Sequence, residues 1–208
     1  MNGKEKASIF TIGHSTHEFE RFVALLKEHL VTALGDVRSS PYSRMFPQYG
    51  REALQRALKE HDIGYVFLGS ELGARSDNPE CYVNGKVQYG RIAATDRFQQ
   101  SIQRVIKGAS RHRIALMCAE KDPLECHRTL LVAKAIVASG QAVGHILADG
   151  GIESHDDAMS RLLVEEGFPL RDMYLTRAQL IEEAAKRREQ RVAYVDEALI
   201  EQQEQKTA

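Results

Sequence analysis

The feature that most limits the fold of this chain is the alternation of short apolar runs with segments whose apolar residues recur every three to four positions. Residues 9–12 form such a run, closed by Gly13, and Phe19, Phe22, Val23, Leu26 and Leu30 follow at helical spacing. The pattern predicts further strands at residues 31–37, 63–68, 114–118 and 143–147, with helices at 51–61, 96–110 and 123–139 between them. Strands that alternate with helices require right-handed crossovers, which put helices on both faces of a mainly parallel sheet. The expected fold is therefore α/β: a single doubly wound domain with a mainly parallel sheet of about five strands flanked by helices, and 208 residues still allow one core.

Ser15 and Glu18 have the spacing of a capping box, which would start the first helix just after His14. Residues 69–94 hold Gly, Pro, Asn and Asp with little periodicity, and they read as a long loop lying as a lid over the strand ends. A helix is expected at 154–166 and a turn at Gly167 and Pro169. From Thr176 the chain is rich in Glu, Gln, Lys and Arg, with apolar anchors at Leu180, Ile181, Val192, Tyr194, Val195 and Leu199. This divides the chain into an α/β domain, 1–175, and a charged helical extension, 176–208, that packs on the domain or on a second copy in a homo-oligomer. The tail 202–208 is expected to fray.

The hydrophobic share of 43% and charged share of 27% are those of an ordinary globular protein. No run approaches the roughly 18 apolar residues of a membrane span, and MNGKEKAS lacks a signal-peptide core, so a cytoplasmic protein without a membrane partner is expected. Cys81, Cys118 and Cys126 are too few and too irregular for a disulfide framework. A formal charge of -1 offers no broad basic face for nonspecific nucleic-acid binding. Neither GxxxxGK[ST] nor a dinucleotide fingerprint occurs, and the cofactor stays unknown.

Ligands of open parallel sheets bind beyond the carboxyl ends of the strands. Those ends carry Gly13-His14-Ser15, Asp36-Val37-Arg38-Ser39, Cys118-Ala119-Glu120 and Leu147-Ala148-Asp149-Gly150. Asp122 as cap, Pro123 at the first helical position and Glu125 completing a capping box would set Cys126, His127 and Arg128 near a helix start. Free N–H groups there favour an anion and the thiolate form of a cysteine, and Arg128 strengthens both effects. Plainer accounts stand beside these. Cys126 reads equally as a small buried apolar residue, Cys118 as core, His14 as a loop-capping histidine, Ser15 as a cap, and Asp36 with Arg38 as an ion pair closing the strand. Cys118, Cys126 and His127, with His14, His145 or His155, also invite a zinc reading; the two cysteines are too far apart in sequence for a usual knuckle, and no residue is assigned as a metal ligand.

The segments TIGHS at 11–15, DVRSSPYS at 36–43, CAE at 118–120, CHR at 126–128 and HILADG at 145–150 with His155 together resemble the domain-of-unknown-function 488 family over nearly the whole chain. The resemblance implies an α/β domain and points to His14, Ser15, Asp36, Arg38, Pro41, Ser43, Cys118, Glu120, Cys126, His127 and Arg128. Relatives carry two glycines and an arginine after the third strand; here the segment is Leu72-Gly73-Ala74-Arg75, which keeps Arg75. The expected function is an enzyme acting on an anionic, for instance phosphate-containing, substrate. Cys126, His14, Glu120 and Asp36 are its expected catalytic residues, and Ser15, Arg38, Ser43, Arg75, Cys118, His127 and Arg128 its ligand-binding ones. The competing readings are a metal-binding protein using Cys and His, and a noncatalytic module that binds a nucleotide or nucleic acid. Asp36 and Arg38, at the mouth of the crevice, are expected to be partly solvated.

Overall fold

A computed structural model describes residues 9–201. Its six-stranded sheet runs in the order β3-β2-β6-β1-β7-β8, from β1 (Ile9–Gly13), β2 (Ala33–Asp36), β3 (Gly64–Phe67), β6 (Ile114–Cys118), β7 (Val143–Ile146) and β8 (Ile152–Ser154). The first five strands in that order are parallel, and β8 pairs antiparallel with β7. Every residue of the central strands β1 and β6 is buried, as apolar strands covered on both faces must be.

Side chains alternate across the sheet. Phe10, Ile12, Ala115 and Met117 face α1 (Phe19–Glu28) and α2 (Arg51–Lys59), packing with Phe22, Leu26, Leu54 and Leu58. Ile9, Leu116 and Cys118 face the other way, into the larger core beneath α5 (Asp96–Ala109) and α7 (His155–Glu165). Cys118 is thus turned toward the same layer as Cys126.

Three local expectations are corrected. The first helix starts at Phe19 rather than just after His14: Glu18 is its cap without a side-chain bond, and Ser15 adopts a φ of 47°, which the first turn of a helix cannot contain. Residues 69–94 do wall the strand-end crevice through Ala74, Arg75 and Tyr89, but they are not an aperiodic loop. They fold into α3 (Gly69–Leu72), the hairpin β4 (Tyr82–Val83) and β5 (Lys86–Val87), and α4 (Tyr89–Ala93), and they bury Leu72, Cys81, Tyr82, Val87, Tyr89 and Ile92 in the core. Asn84-Gly85, with φ of 50° and 71°, forms the tight hairpin turn that an Asn-Gly pair favours. The helix expected at 123–139 is broken. A 3-10 turn at Pro123–Glu125 gives way to extended backbone at Cys126, then to π-helical turns at Arg128–Ala133, and only then to α6 (Lys134–Ala138).

The charged segment forms α8 (Arg177–Val192), opened by a Thr176/Gln179 capping box. Leu180, Ala184 and Ala185 join the main core. Arg188, nearly buried, donates to Glu125 (2.6 Å), Glu165 (2.8 Å) and Glu166 (2.6 Å), fastening α8 to α7 and to the turn that precedes Cys126. Among the described residues no helix is long and apolar enough to cross a membrane. The tail 202–208 lies outside the described residues.

Candidate active site at the carboxyl ends of the central strands

Because β6 lies between β1 and β2, the chain leaving Cys118 runs between the loops that follow Gly13 and Asp36. Backbone bonds lock the three together: His14 N to Cys118 O (2.9 Å), Ser15 N to Ala119 O (2.9 Å) and Val37 N to Met117 O (3.0 Å). Gly13 is required at this crossing, since a Cβ there would lie 1.9 Å from the Glu120 carbonyl oxygen.

Asp36 is fully buried. Its carboxylate accepts from Arg38 Nε (2.9 Å) and Nη2 (2.7 Å), from the Arg38 backbone N–H (3.1 Å) and from the Tyr65 hydroxyl (2.8 Å). Burial and this carboxylate push the Tyr65 pKa up. Arg38 Nη2 also donates to Tyr49 O at 2.8 Å, which leaves Nη1 at 3.3 Å from His14 Nε2. The expected partly solvated pair is therefore a buried one, because Tyr49, Tyr65 and His14 enclose it. His14 stacks on Tyr49 at 4.2 Å and donates from Nδ1 to Ser15 O at 3.0 Å, which leaves its Nε2 lone pair for Arg38. Burial, and next the Arg38 charge, lower the His14 pKa to about 4.

The second half of the site gathers around Cys126. Asp122 caps the 3-10 turn through Leu124 N (2.8 Å), and the extended Cys126 (φ -144°) turns its sulfur back to the Arg128 N–H at 3.4 Å. This replaces the expected continuous helix start, and Glu125 pairs with Arg188 instead of completing a box. Glu120 Oε2 lies 2.9 Å from Cys126 Sγ. His127 Nδ1 is 3.7 Å from Cys118 Sγ and 3.8 Å from Cys126 Sγ, while Nε2 donates to Val37 O at 2.9 Å.

Arg128 is fully buried and donates from Nη1 to Glu120 O (2.6 Å) and from Nη2 to Lys121 O (3.1 Å). Among the described residues no carboxylate pairs with it, and its Nε has no partner. Burial alone would raise the Cys126 pKa, but a hydrogen bond from Cys118 and the charges of Arg128 and His127 hold it well below the usual thiol range. Cys118 shifts the opposite way, raised by its bond to that sulfur and by burial. Glu120 keeps an exposed flank toward the crevice, yet the protein packed around its carboxyl, and then the Cys126 charge, raise its pKa. Of the two sulfurs, Cys126 is thus the one whose thiolate form these neighbours favour, and Cys118 the one they hold as a thiol.

These groups line a cavity of about 260 Å³, walled by Arg38, Arg75, Tyr89 and Tyr194. Exposed Arg75 lies 4.4 Å above the Tyr194 ring, so the segments that follow α3 and α8 meet at the cavity. An adjoining lobe of about 530 Å³ shares Arg38 and holds His14, Ser15 and Ser43, whose hydroxyl accepts from Phe46 N at 3.0 Å. The structure thus gathers Arg38, Arg75, Cys118, Glu120, Cys126 and His127 around one crevice, places His14, Ser15 and Ser43 in its side lobe, and sets Asp36 and Arg128 behind it. His145 and His155 stand apart: His145 Nε2 is 3.2 Å from His155 Nδ1, and its Nδ1 is 2.7 Å from Thr11 Oγ1. Tyr49 and Tyr65 escaped the sequence reading, because an aromatic residue at strand or turn spacing carries no mark that separates a packing ring from a second partner of a buried ion pair.

A family model described as domain of unknown function DUF488 matches residues 18–135. The chain belongs to that family. The match spans both cysteines, Glu120, His127 and Arg128 of this DUF488 protein, while His14 and Tyr194 fall outside it. No curated protein and no solved structure matches the chain.

Proposed function

We propose that this DUF488 protein is an enzyme acting on an anionic substrate in the crevice, with the Cys126 sulfur at the centre of the chemistry. The observation that carries the reading is Arg128: a fully buried guanidinium with no carboxylate partner among the described residues, beside a buried cysteine. An uncompensated buried charge is costly, and the Cys126 thiolate supplies the missing negative charge without solvent. A site that only bound a ligand would have no use for a thiolate kept against burial.

The remaining groups fit this role. Arg75 at the rim favours a phosphate or carboxylate, and the Arg38 guanidinium and Tyr89 stand in the wall beside it. Glu120, beside the Cys126 sulfur and with its carboxyl pKa raised by burial, is placed to exchange a proton at the reacting centre. His14, neutral and bonded to Arg38, orients that guanidinium. Alkylation of the native chain across pH, followed by peptide mapping, tests the reading. Cys126 should react at a pH well below that of a free thiol, Cys118 should stay unmodified, and inorganic pyrophosphate should slow the reaction. If Cys126 reacts only after unfolding, or titrates as a free thiol does, the reading is wrong.

A further inference from the structure

Two sulfurs and one imidazole nitrogen converge at the floor of the crevice. Cys118 Sγ, Cys126 Sγ and His127 Nδ1 lie within 4.8 Å of one another, all three residues are buried, and all three line the cavity. They come from two unconnected stretches, a strand end and an extended break between helical turns, so local sequence alone does not force their meeting.

Two features go beyond what a pair of thiols around a histidine needs. The first is spacing. A tetrahedral zinc ion with Zn–S of about 2.3 Å and Zn–N of about 2.0 Å separates its sulfur and nitrogen ligands by about 3.5 Å. The observed Sγ···Nδ1 separations are 3.7 Å and 3.8 Å, long for a thiol hydrogen bond to nitrogen and close to the edge of that tetrahedron. The second is the ring's orientation. Nε2 is committed to the Val37 carbonyl, which turns Nδ1 onto the two sulfurs, where it would give up its proton to a metal ion; this is the arrangement that holds metal-ligating histidines in place.

We propose that Cys118, Cys126 and His127 bind one Zn2+ ion whose fourth position opens to the crevice. The inference rests on the preceding reading of the crevice as an enzyme site centred on Cys126, and it assigns what that sulfur does: it ligates, and a bound water becomes the attacking atom. Three protein ligands and an open fourth position are the pattern of a catalytic rather than a structural zinc. Glu120, 2.9 Å from Cys126 Sγ, borders the open position without belonging to the ligand triangle. Its carboxylate takes a proton from the water, the resulting hydroxide adds to an electrophilic carbon or phosphorus of the substrate, and the proton passes to the leaving group. One water is consumed, and no electrons are exchanged.

The test uses the full chain purified without chelator. Elemental analysis should find about one zinc per chain, and Co2+ added to chelator-stripped protein should give the thiolate-to-cobalt absorption of a tetrahedral site. Cys118→Ser and Cys126→Ser, each a one-atom change, should weaken zinc binding at least about a hundredfold, whereas Glu120→Gln should retain it. Should one serine variant unfold, the cobalt spectrum of the unaltered chain still decides. The proposal is overturned if zinc is absent and Co2+ gives no thiolate absorption, or if Cys118→Ser binds zinc as tightly as the parent. In the first case, alkylation of the metal-free chain tells the two readings apart: a Cys126 that still reacts as a thiolate leaves the sulfur itself as the attacking atom, and one that does not removes both.

Discussion

Replacing His155 with asparagine should make the fold less sensitive to mild acid. His155 opens α7 with its ring against His145, and burial lowers its pKa to about 4, whereas an imidazole in an unfolded chain titrates near about 6.5. Between those values the unfolded chain takes up a proton and the folded chain does not. The stability His155 contributes is therefore whole above the upper value, falls as the pH drops through the window, and levels off below about 4. Linkage gives a loss of about 2 kcal/mol between neutral pH and a pH of about 5, a large share of the 5–15 kcal/mol typical of a whole domain. Glu120 and Glu189, whose carboxyls are raised mainly by burial, act in the opposite direction in the same window, so the informative quantity is the difference between two proteins. Urea unfolding followed by circular dichroism, for the parent and His155→Asn at several pH values, measures it. The parent should lose about 2 kcal/mol more than the variant over that range. Parallel pH profiles would refute the argument, since they would mean that His155 charges in the fold as readily as outside it.

Asp36→Ala should cost about 3 kcal/mol or more in urea unfolding, because it strands the buried Arg38 and removes the acceptor of Tyr65. Gly13→Ala should lower stability by about 2 kcal/mol or more, since its Cβ meets a backbone carbonyl that cannot swing aside; a melting temperature equal to the parent's would contradict the crossing described. Arg128→Met should move Cys126 alkylation to higher pH, toward free-thiol behaviour, and an unchanged profile would show that Arg128 does not hold the thiolate.

The central strands β1, β6 and β7 were legible because full burial on both faces leaves apolar runs that no loop resembles, as in residues 114–118, whereas β3, half-exposed at the sheet edge, was marked only by its own short apolar run. β8 was not, since three residues with an exposed Ile152 at a sheet edge carry no such run. The Asn84-Gly85 turn was written in the chain, but strands of two residues gave it no flanking alternation to mark. At the site, the strand-end rule led to His14, Asp36, Arg38, Cys118 and Glu120, and the helix-start signals led to Cys126. The break at Cys126 itself was hidden: Asp122 and Pro123 open a 3-10 turn as readily as an α-helix, and the choice depends on Arg188 drawing Glu125 toward α8 from 63 residues away. That α8 is charged concealed its part in the site, because its contribution is a network of ion pairs rather than an apolar face.

The sheet order also constrains how the molecule comes into being. β1 has no neighbours but β6 and β7, and β2 touches β1 only through β6. While the ribosome has released only the first hundred or so residues, the hairpin-free pair β2 and β3 is the sole part of the sheet with its final partner. The arrival of β6 then seats three strands at once, and it is the same event that brings Cys118 between the loops of His14 and Arg38. Among the described residues the loops of His14 and Arg38 are tied by backbone bonds only through β6, so the strand that joins the two halves of the sheet is also the one that delivers Cys118 to the crevice.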